Sequence, residues 1–353
     1  MGVQTVKPYN YDPVIAGKNF LINGGFDFTQ RTTSPTTPLM ISSGNGYVAD
    51  RWTTHQFQTA LHSRTSITPG SGPISQFALR VGSPTTAQAA DGSRMVAAQM
   101  IESNNTYFLR NQTITLSFWV RFSSAQFLSI ANAGESAYNE FGIVLGFMTT
   151  TTDSPIGSTA IDSQIFSGIA NGSLPTVWTK YTITTVVPSS ANNIIARFGF
   201  GARGSTAVAG TNWYEIADVQ VEENNYATMF SRAGGNYIEE LRLCQRYYYR
   251  TSATNLFSPI GFGFASSTTN AMIDIKFPVQ MRVAPTLVGF STLQVNDSTT
   301  GITVTAVAYN GTEFGISGAT VNCTVSGGLT QFRPCKLLAN NSTLGYIDFS
   351  AEI

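Results

Sequence analysis

Reactive side chains are scarce in this chain. There are two histidines, His55 and His62, both in a stretch of loose apolar–polar alternation. Neither has a Ser or Cys partner at a recognisable spacing, and no G-x-S-x-G elbow, phosphate-cradling glycine loop or H-E-x-x-H occurs. A lone histidine is more often structural than catalytic. Paired carboxylates could serve glycoside hydrolysis, but the candidates Glu102, Glu135, Glu140 and Glu215 are scattered. The cysteines Cys244, Cys323 and Cys335 are odd in number and unclustered, which argues against a disulfide framework or a zinc site. Cys323 and Cys335 could still pair. The expectation is a protein that is not an enzyme and requires no cofactor.

Binding chemistry has better candidates. From Gln112 to Phe122 the alternation is strict: Ile114, Leu116, Phe118, Val120 and Phe122 share one face, and Thr113, Thr115, Ser117, Trp119 and Arg121 the other. The apolar face must be core, so Trp119 and Arg121 point outward. An aromatic ring beside a guanidinium on a polar sheet face suits a sugar, whose C–H face stacks on the ring while its hydroxyls bond the cation. The alternative is that a loop, a helix or another subunit covers Trp119. Arg197 is a third candidate, outward between inward Ala196 and Phe198.

The elements that must hold these residues are nearly all strands. Phe77–Val81, Met95–Met100, Phe141–Met148, Trp178–Val187, Ile194–Ala202 and Trp213–Glu222 read as strands, and residues 149–176 as a long polar loop in which Ile165-Phe166 could form a short strand. Residues 18–31 should begin a strand with Phe20 and Ile22, turn at Gly24-Gly25 and continue with Phe26 and Phe28. Tyr237–Tyr249 is the one convincing amphipathic helix, with Ile238, Leu241, Cys244 and Tyr248 at spacings of three and four. Asn236 can cap it, with Glu239 completing a capping box. Beyond it, short strands recur about every ten residues, separated by Gly, Asn and Ser. The expected fold is all-β: an extended arm over 1–17, a jelly-roll β-sandwich over 18–232, a linker helix over 233–250 and a smaller β-sandwich over 251–353. The tyrosines Tyr247, Tyr248 and Tyr249 are expected where subunits or the two domains meet.

At 353 residues two domains are expected. Formal net charge is zero and 11% of residues are charged, about half the usual share, so no footprint for nucleic acid or an anionic membrane arises. No apolar window reaches the length of a membrane span, and residues 1–19 lack the pattern of a signal peptide.

Four motifs in order resemble a family of tailed-bacteriophage tail-fibre and tail-associated proteins. They run from Asn19 to Arg31 (NFLINGGFDFTQR), Tyr47 to Trp52, Leu116 to Arg121, and Asp218 through Tyr248, where EELRLCQRYY closes the series. The match covers roughly residues 18–250. The first domain is also similar to the jelly-roll carbohydrate-binding modules of polysaccharide-degrading enzymes. The resemblance implies a virion protein: a trimeric tail fibre anchored to tail or baseplate proteins through residues 1–17 and contacting host-surface glycan. Within the same resemblance, a head decoration or connector protein that binds no sugar remains open, as does a binding module that works beside a separate enzyme. The module likeness further implies a structural calcium between the first and last strands, at Asp27 and Asp218, although two carboxylates could equally be ordinary surface acids.

Overall fold

The structure, a computed structural model, describes residues 18–32, 34–37, 39–41, 46–53, 60–82, 95–127, 140–149, 153, 161–200, 212–297 and 301–352. The expected arm, His55 and Glu135 lie outside them. The chain divides into two compact units. Unit 1 holds Met1–Asp27, Pro35–Val48 and Trp52–Glu240; unit 2 holds Phe28–Ser34, Ala49–Arg51 and Leu241–Ile353. Among the described residues, no helix is long and apolar enough to cross a membrane.

Unit 1 is the expected β-sandwich. In chain order its elements are β1 (Leu39–Ile41), β2 (Ala60–Ser66), β3 (Phe77–Gly82), β4 (Val96–Ile101), helix α1 (Ser103–Leu109), β5 (Thr113–Phe122), β6 (Glu140–Met148), β7 (Ser163–Ala170), β8 (Thr179–Val186), β9 (Asn193–Phe200) and β10 (Trp213–Glu223). One sheet runs β1-β2-β3-β10-β5-β8 and the other β4-β9-β6-β7, with antiparallel pairing throughout. Their inner faces meet in an aromatic core. The ring centroids of Phe118 and Phe198 lie 4.7 Å apart, and those of Phe122 and Phe141 4.9 Å. The alternation of β5 therefore sets which sheet face is core, as its sequence requires.

Two readings of unit 1 need correction. Residues 18–28 form turns rather than a strand, fastened by Asn19. Its side-chain oxygen accepts from the N–H groups of Leu21 (2.9 Å) and Val221 (3.1 Å), and its amide donates to the carbonyls of Val219 (3.0 Å) and Ser231 (3.1 Å). That uses the full capacity of the amide, a stronger determinant than local propensity. In the polar stretch 149–176, the short strand considered at Ile165-Phe166 is a full eight-residue strand, β7, paired along its length with β6.

Helix α2 (Tyr237–Gln245) begins in unit 1, which ends at Glu240, and unit 2 continues from Leu241 through β11 (Tyr248–Ser252), β12 (Pro259–Ala265), β13 (Asn270–Lys276), β14 (Thr286–Ser291), β15 (Leu293–Asn296), β16 (Gly301–Gly315), β17 (Gly318–Val325), β18 (Pro334–Ala339) and β19 (Tyr346–Ser350). The strands β12-β13-β17-β16-β15-β18 close into a barrel, and β11-β19-β14 form a separate sheet. The interior is filled by Ile273, Ile275, Val321, Leu337 and neighbours, with Cys323 and Cys335 among them. Both thiols are free, and burial pushes them up to about 12 and about 11.

The helix is shorter than its periodicity suggested. Asn236 caps it as expected, accepting from the N–H groups of Ile238 and Glu239, both at 3.0 Å. It stops at Gln245 because Tyr248–Ser252 pairs with β19 instead. Ile238 is exposed while Glu240 is buried, its carboxylate accepting from the N–H groups of Asn23 and Gly234. A buried backbone donor at Asn23 and a half-buried one at Gly234 thus turn the buried side of this helix to a charged residue, which a hydrophobic stripe cannot foretell.

Candidate functional site

The structure closes the expected sugar platform on β5. Trp119 is half-buried against Ile67, Ala78, Trp178 and Ala217. The β2–β3 loop crosses it, with Gly72 so near that a Cβ there would stand 2.8 Å from the indole carbon Cζ3. Asp218 pins this loop by accepting from Ile74 N–H at 2.7 Å, Ser75 N–H at 3.0 Å and the Ser75 hydroxyl. Arg121 is committed as well. Its Nε donates to Oε2 of the fully buried Glu215 at 2.5 Å, while Arg80 and Thr65 hold Oε1 at 2.7 and 2.8 Å. The guanidinium of Arg80 lies 4.1 Å from the Trp213 ring centroid, and that of Arg121 4.9 Å from the Trp178 centroid. Trp213 and Trp178 therefore already carry cations.

Arg197 belongs to β9, in the opposite sheet, so the three residues do not converge. The outer face around Arg197 is better suited to a ligand. Register places Arg197, Val144 and Phe166 in one row, and Gly199, Gly142 and Gly168 in the next. A Cβ on Gly142 would stand 2.9 Å from Cε2 of Phe166, and one on Gly168 3.2 Å from Cε1. The phenyl ring thus lies across two paired glycines and keeps 51% of its surface exposed. Beside it, the Glu140 carboxylate occupies the space over Gly168 that any side chain there would claim. Two strand spacings, about 10 Å, separate Arg197 from Phe166 across the floor of Val144. An aromatic face with a carboxylate acceptor beside it and a guanidinium donor two strands away matches the mixed apolar and hydroxyl surface of a pyranose.

Sequence reasoning had Glu140 only as a scattered carboxylate and Phe166 only in a short strand; it missed their meeting over the glycines because the pairing of β7 with β6 is not local. The available signal was Gly142 and Gly146, four residues apart and so on one face of an apolar strand, a mark of close approach over the sheet. Of the carboxylates considered for hydrolysis, Glu140 and Glu215 lie on outer faces of opposite sheets, and Glu102 is buried at the start of α1. His62 is buried with Nε2 3.0 Å from the Val96 carbonyl, and burial lowers it to about 4.

The proposed calcium positions do not fit a metal. Arg232 grips Asp27 with two bonds, Nε to Oδ2 at 2.7 Å and Nη2 to Oδ1 at 3.1 Å, so a guanidinium already supplies the positive charge there. Asp218 is saturated by the loop donors. Among the described residues no group of three His, Cys, Asp or Glu is placed to hold an ion. The tyrosines are not a free surface either. Tyr247 and Tyr248 are buried inside unit 2 under Arg51 and Arg31, whose guanidinium carbons lie 3.6 and 3.8 Å from the ring centroids. Both arginines pair with Glu352. Tyr248 also donates its hydroxyl to Asp348, and Tyr249 packs on Phe277.

No protein-family model matches the chain, and no curated protein matches it. Solved structures do. The enzymatically active domain of tailspike protein 4 of bacteriophage CBA120 aligns at 12% identity and TM-score 0.33, covering 58% of this chain and 21% of that one. Thus the chain matches about a fifth of the length of that solved chain. TmCBM61, solved with β-1,4-galactotriose, aligns at 12% identity and TM-score 0.30 over 58% of this chain and 99% of its own. The CBM22-1 xylan-binding domain of Paenibacillus barcinonensis Xyn10C aligns at 11% identity and TM-score 0.28, over 56% of this chain and all of its own.

Proposed function

We propose that this chain is a non-catalytic virion protein of a tailed bacteriophage, a tail fibre that attaches to host-surface polysaccharide. The glycine-floored Phe166 ring, between Glu140 and Arg197, is the observation that carries the sugar-binding part. The virion part rests on the four ordered motifs. In this reading residues 1–17 dock onto tail or baseplate proteins, and copies assemble as a trimer. A single shallow sugar site binds weakly; several per particle convert it to firm attachment through effective concentration.

The test is binding of fluorescently labelled protein to candidate bacterial cells, with purified surface polysaccharide as competitor. Phe166→Ala should weaken labelling about five-fold at an unchanged melting temperature, since the ring is half-exposed and a stacked aromatic contributes about 1 kcal/mol. Labelling that ignores both the substitution and the competitor would sink the proposal. Light scattering reports the assembly state: a monomer at micromolar concentration would remove the trimer.

A further inference from the structure

The strand β12 carries its side chains the opposite way from an ordinary barrel strand. Gly261, Gly263 and Ala265 face inward, while Phe262 and Phe264 face out, 61% and 40% exposed. Packing accounts for the inward glycines. A Cβ on Gly261 would stand 2.6 Å from Cγ2 of Ile273 and 2.7 Å from Cδ1 of Ile275, so the barrel is too narrow for anything larger. Packing does not account for the outward phenylalanines, which leave in water the apolar area that folding normally removes.

Register shows what surrounds Phe262. One row runs Thr320, Asp274, Phe262, Lys336, Asn296 across five strands, all on the outer wall. The Thr320 hydroxyl donates to Asp274 at 2.7 Å, fixing that carboxylate beside the ring. A hollow of ≈ 360 Å³ lies to either side of the row's centre. One is bordered by Asp274, Lys276 and Glu313, the other by Phe262, Asp297 and Lys336. Each volume falls at the lower end of the ~300–1,000 Å³ range of small-ligand clefts. The closed barrel offers no free strand edge here, so a peptide could not add by backbone pairing.

We propose that the outer wall at β12 is a second saccharide-binding surface, distinct from the Phe166 site. The Phe262 ring stacks on a sugar while Asp274 and Lys336 bond its hydroxyls. The two hollows take the flanking sugars of the same polymer. Three carboxylates, Asp274, Glu313 and Asp297, line them against two ammonium groups, Lys276 and Lys336. The ligand is therefore a neutral or amine-bearing polysaccharide rather than a polyanion. This rests on the glycan-binding reading of the chain.

The experiment uses the full chain and three probes: a neutral β-glucan, chitosan oligosaccharide and polygalacturonate. Affinities are compared for wild type, Phe262→Ala, Phe166→Ala and the double variant. The expected result is binding of the glucan or the chitosan, weakened about ten-fold by Phe262→Ala at an unchanged melting temperature. Lys336→Ala should weaken it in the same direction. The residual binding of Phe166→Ala should disappear in the double variant. Binding that depends on Phe166 but not on Phe262 overturns the second surface and leaves the first standing. Tighter binding of polygalacturonate overturns the assigned charge class. If wild type binds none of the three, the second surface is overturned, while the glycan-binding reading is decided by the cell-labelling test.

Discussion

Phe166 lies flat only because positions 142 and 168 carry no side chain. Gly142→Val should therefore lift the ring and reduce polysaccharide binding as far as Phe166→Ala does, a comparison best made by affinity electrophoresis. Two buried titratable groups give a second prediction at this scale. His62 drops from 6.5 to about 4 in the fold because burial disfavours its charge. An unfolded chain takes up that proton near pH 6.5 and the folded chain resists it. Unit 1 thus keeps the full contribution above pH 6.5 and loses up to about 3 kcal/mol as pH falls to 4. Asp50 works the other way, raised by burial from 3.8 to about 6, against the opposing pull of Arg31 and a bond from Gln30. Its contribution is fully present below pH 3.8 and is lost as pH rises to 6. Thermal melts between pH 4 and 7 should show His62→Gln flattening the acid loss and Asp50→Asn steepening it. A His62→Gln profile parallel to wild type would refute the assignment.

Among the elements, the β2–β3 loop decides what the first sheet can do. It covers Trp119 and hangs on Asp218, so Trp119→Ala should cost stability, about 2 kcal/mol, and leave polysaccharide binding unchanged. Arg232→Ala should destabilise unit 1 by a similar amount, whereas a chelator should leave the melting temperature where it was. A fall in melting temperature with chelator alone would restore a metal at Asp27. These elements also show what a sequence reveals. The β5 core face was legible because strict alternation over ten residues admits one burial pattern. The Asn236 cap was legible because its partners lie two and three residues away. What covers Trp119 was not, since the pinning carboxylate sits some 140 residues from the loop it holds. The barrel was hidden for a like reason: β15 and β18 are short, and closure depends on pairings that no local pattern records. The inverted strand at β12 was the opposite case. Its glycine–phenylalanine alternation was visible, but which side faced water was not.

At the scale of the whole molecule, the units are not consecutive in sequence. Unit 2 incorporates residues 28–34 and 49–51 from far upstream. There Arg31 and Arg51 hold Glu352, and Gln30 donates to Asp50 at 2.8 Å and to the Tyr248 carbonyl at 3.0 Å. Much of the motif series that resembles phage proteins is thereby explained as internal fastening. A fragment of residues 251–353 lacks Arg31 and Arg51, so it leaves Glu352, nearly buried, without its cations. Removing one member of such a pair costs about 3–5 kcal/mol. The fragment should melt well below the full chain by calorimetry. A fragment as stable as the intact unit would show these upstream segments to be dispensable.

The same arrangement sets an order of events during synthesis. Residues 28–34 and 49–51 leave the ribosome early, yet their buried partners arrive only with Tyr247, Tyr248 and finally Glu352. Arg31 and Arg51 must wait, solvated, through about three hundred residues of translation. A ribosome that stalls before Glu352 releases a chain whose second unit cannot lock.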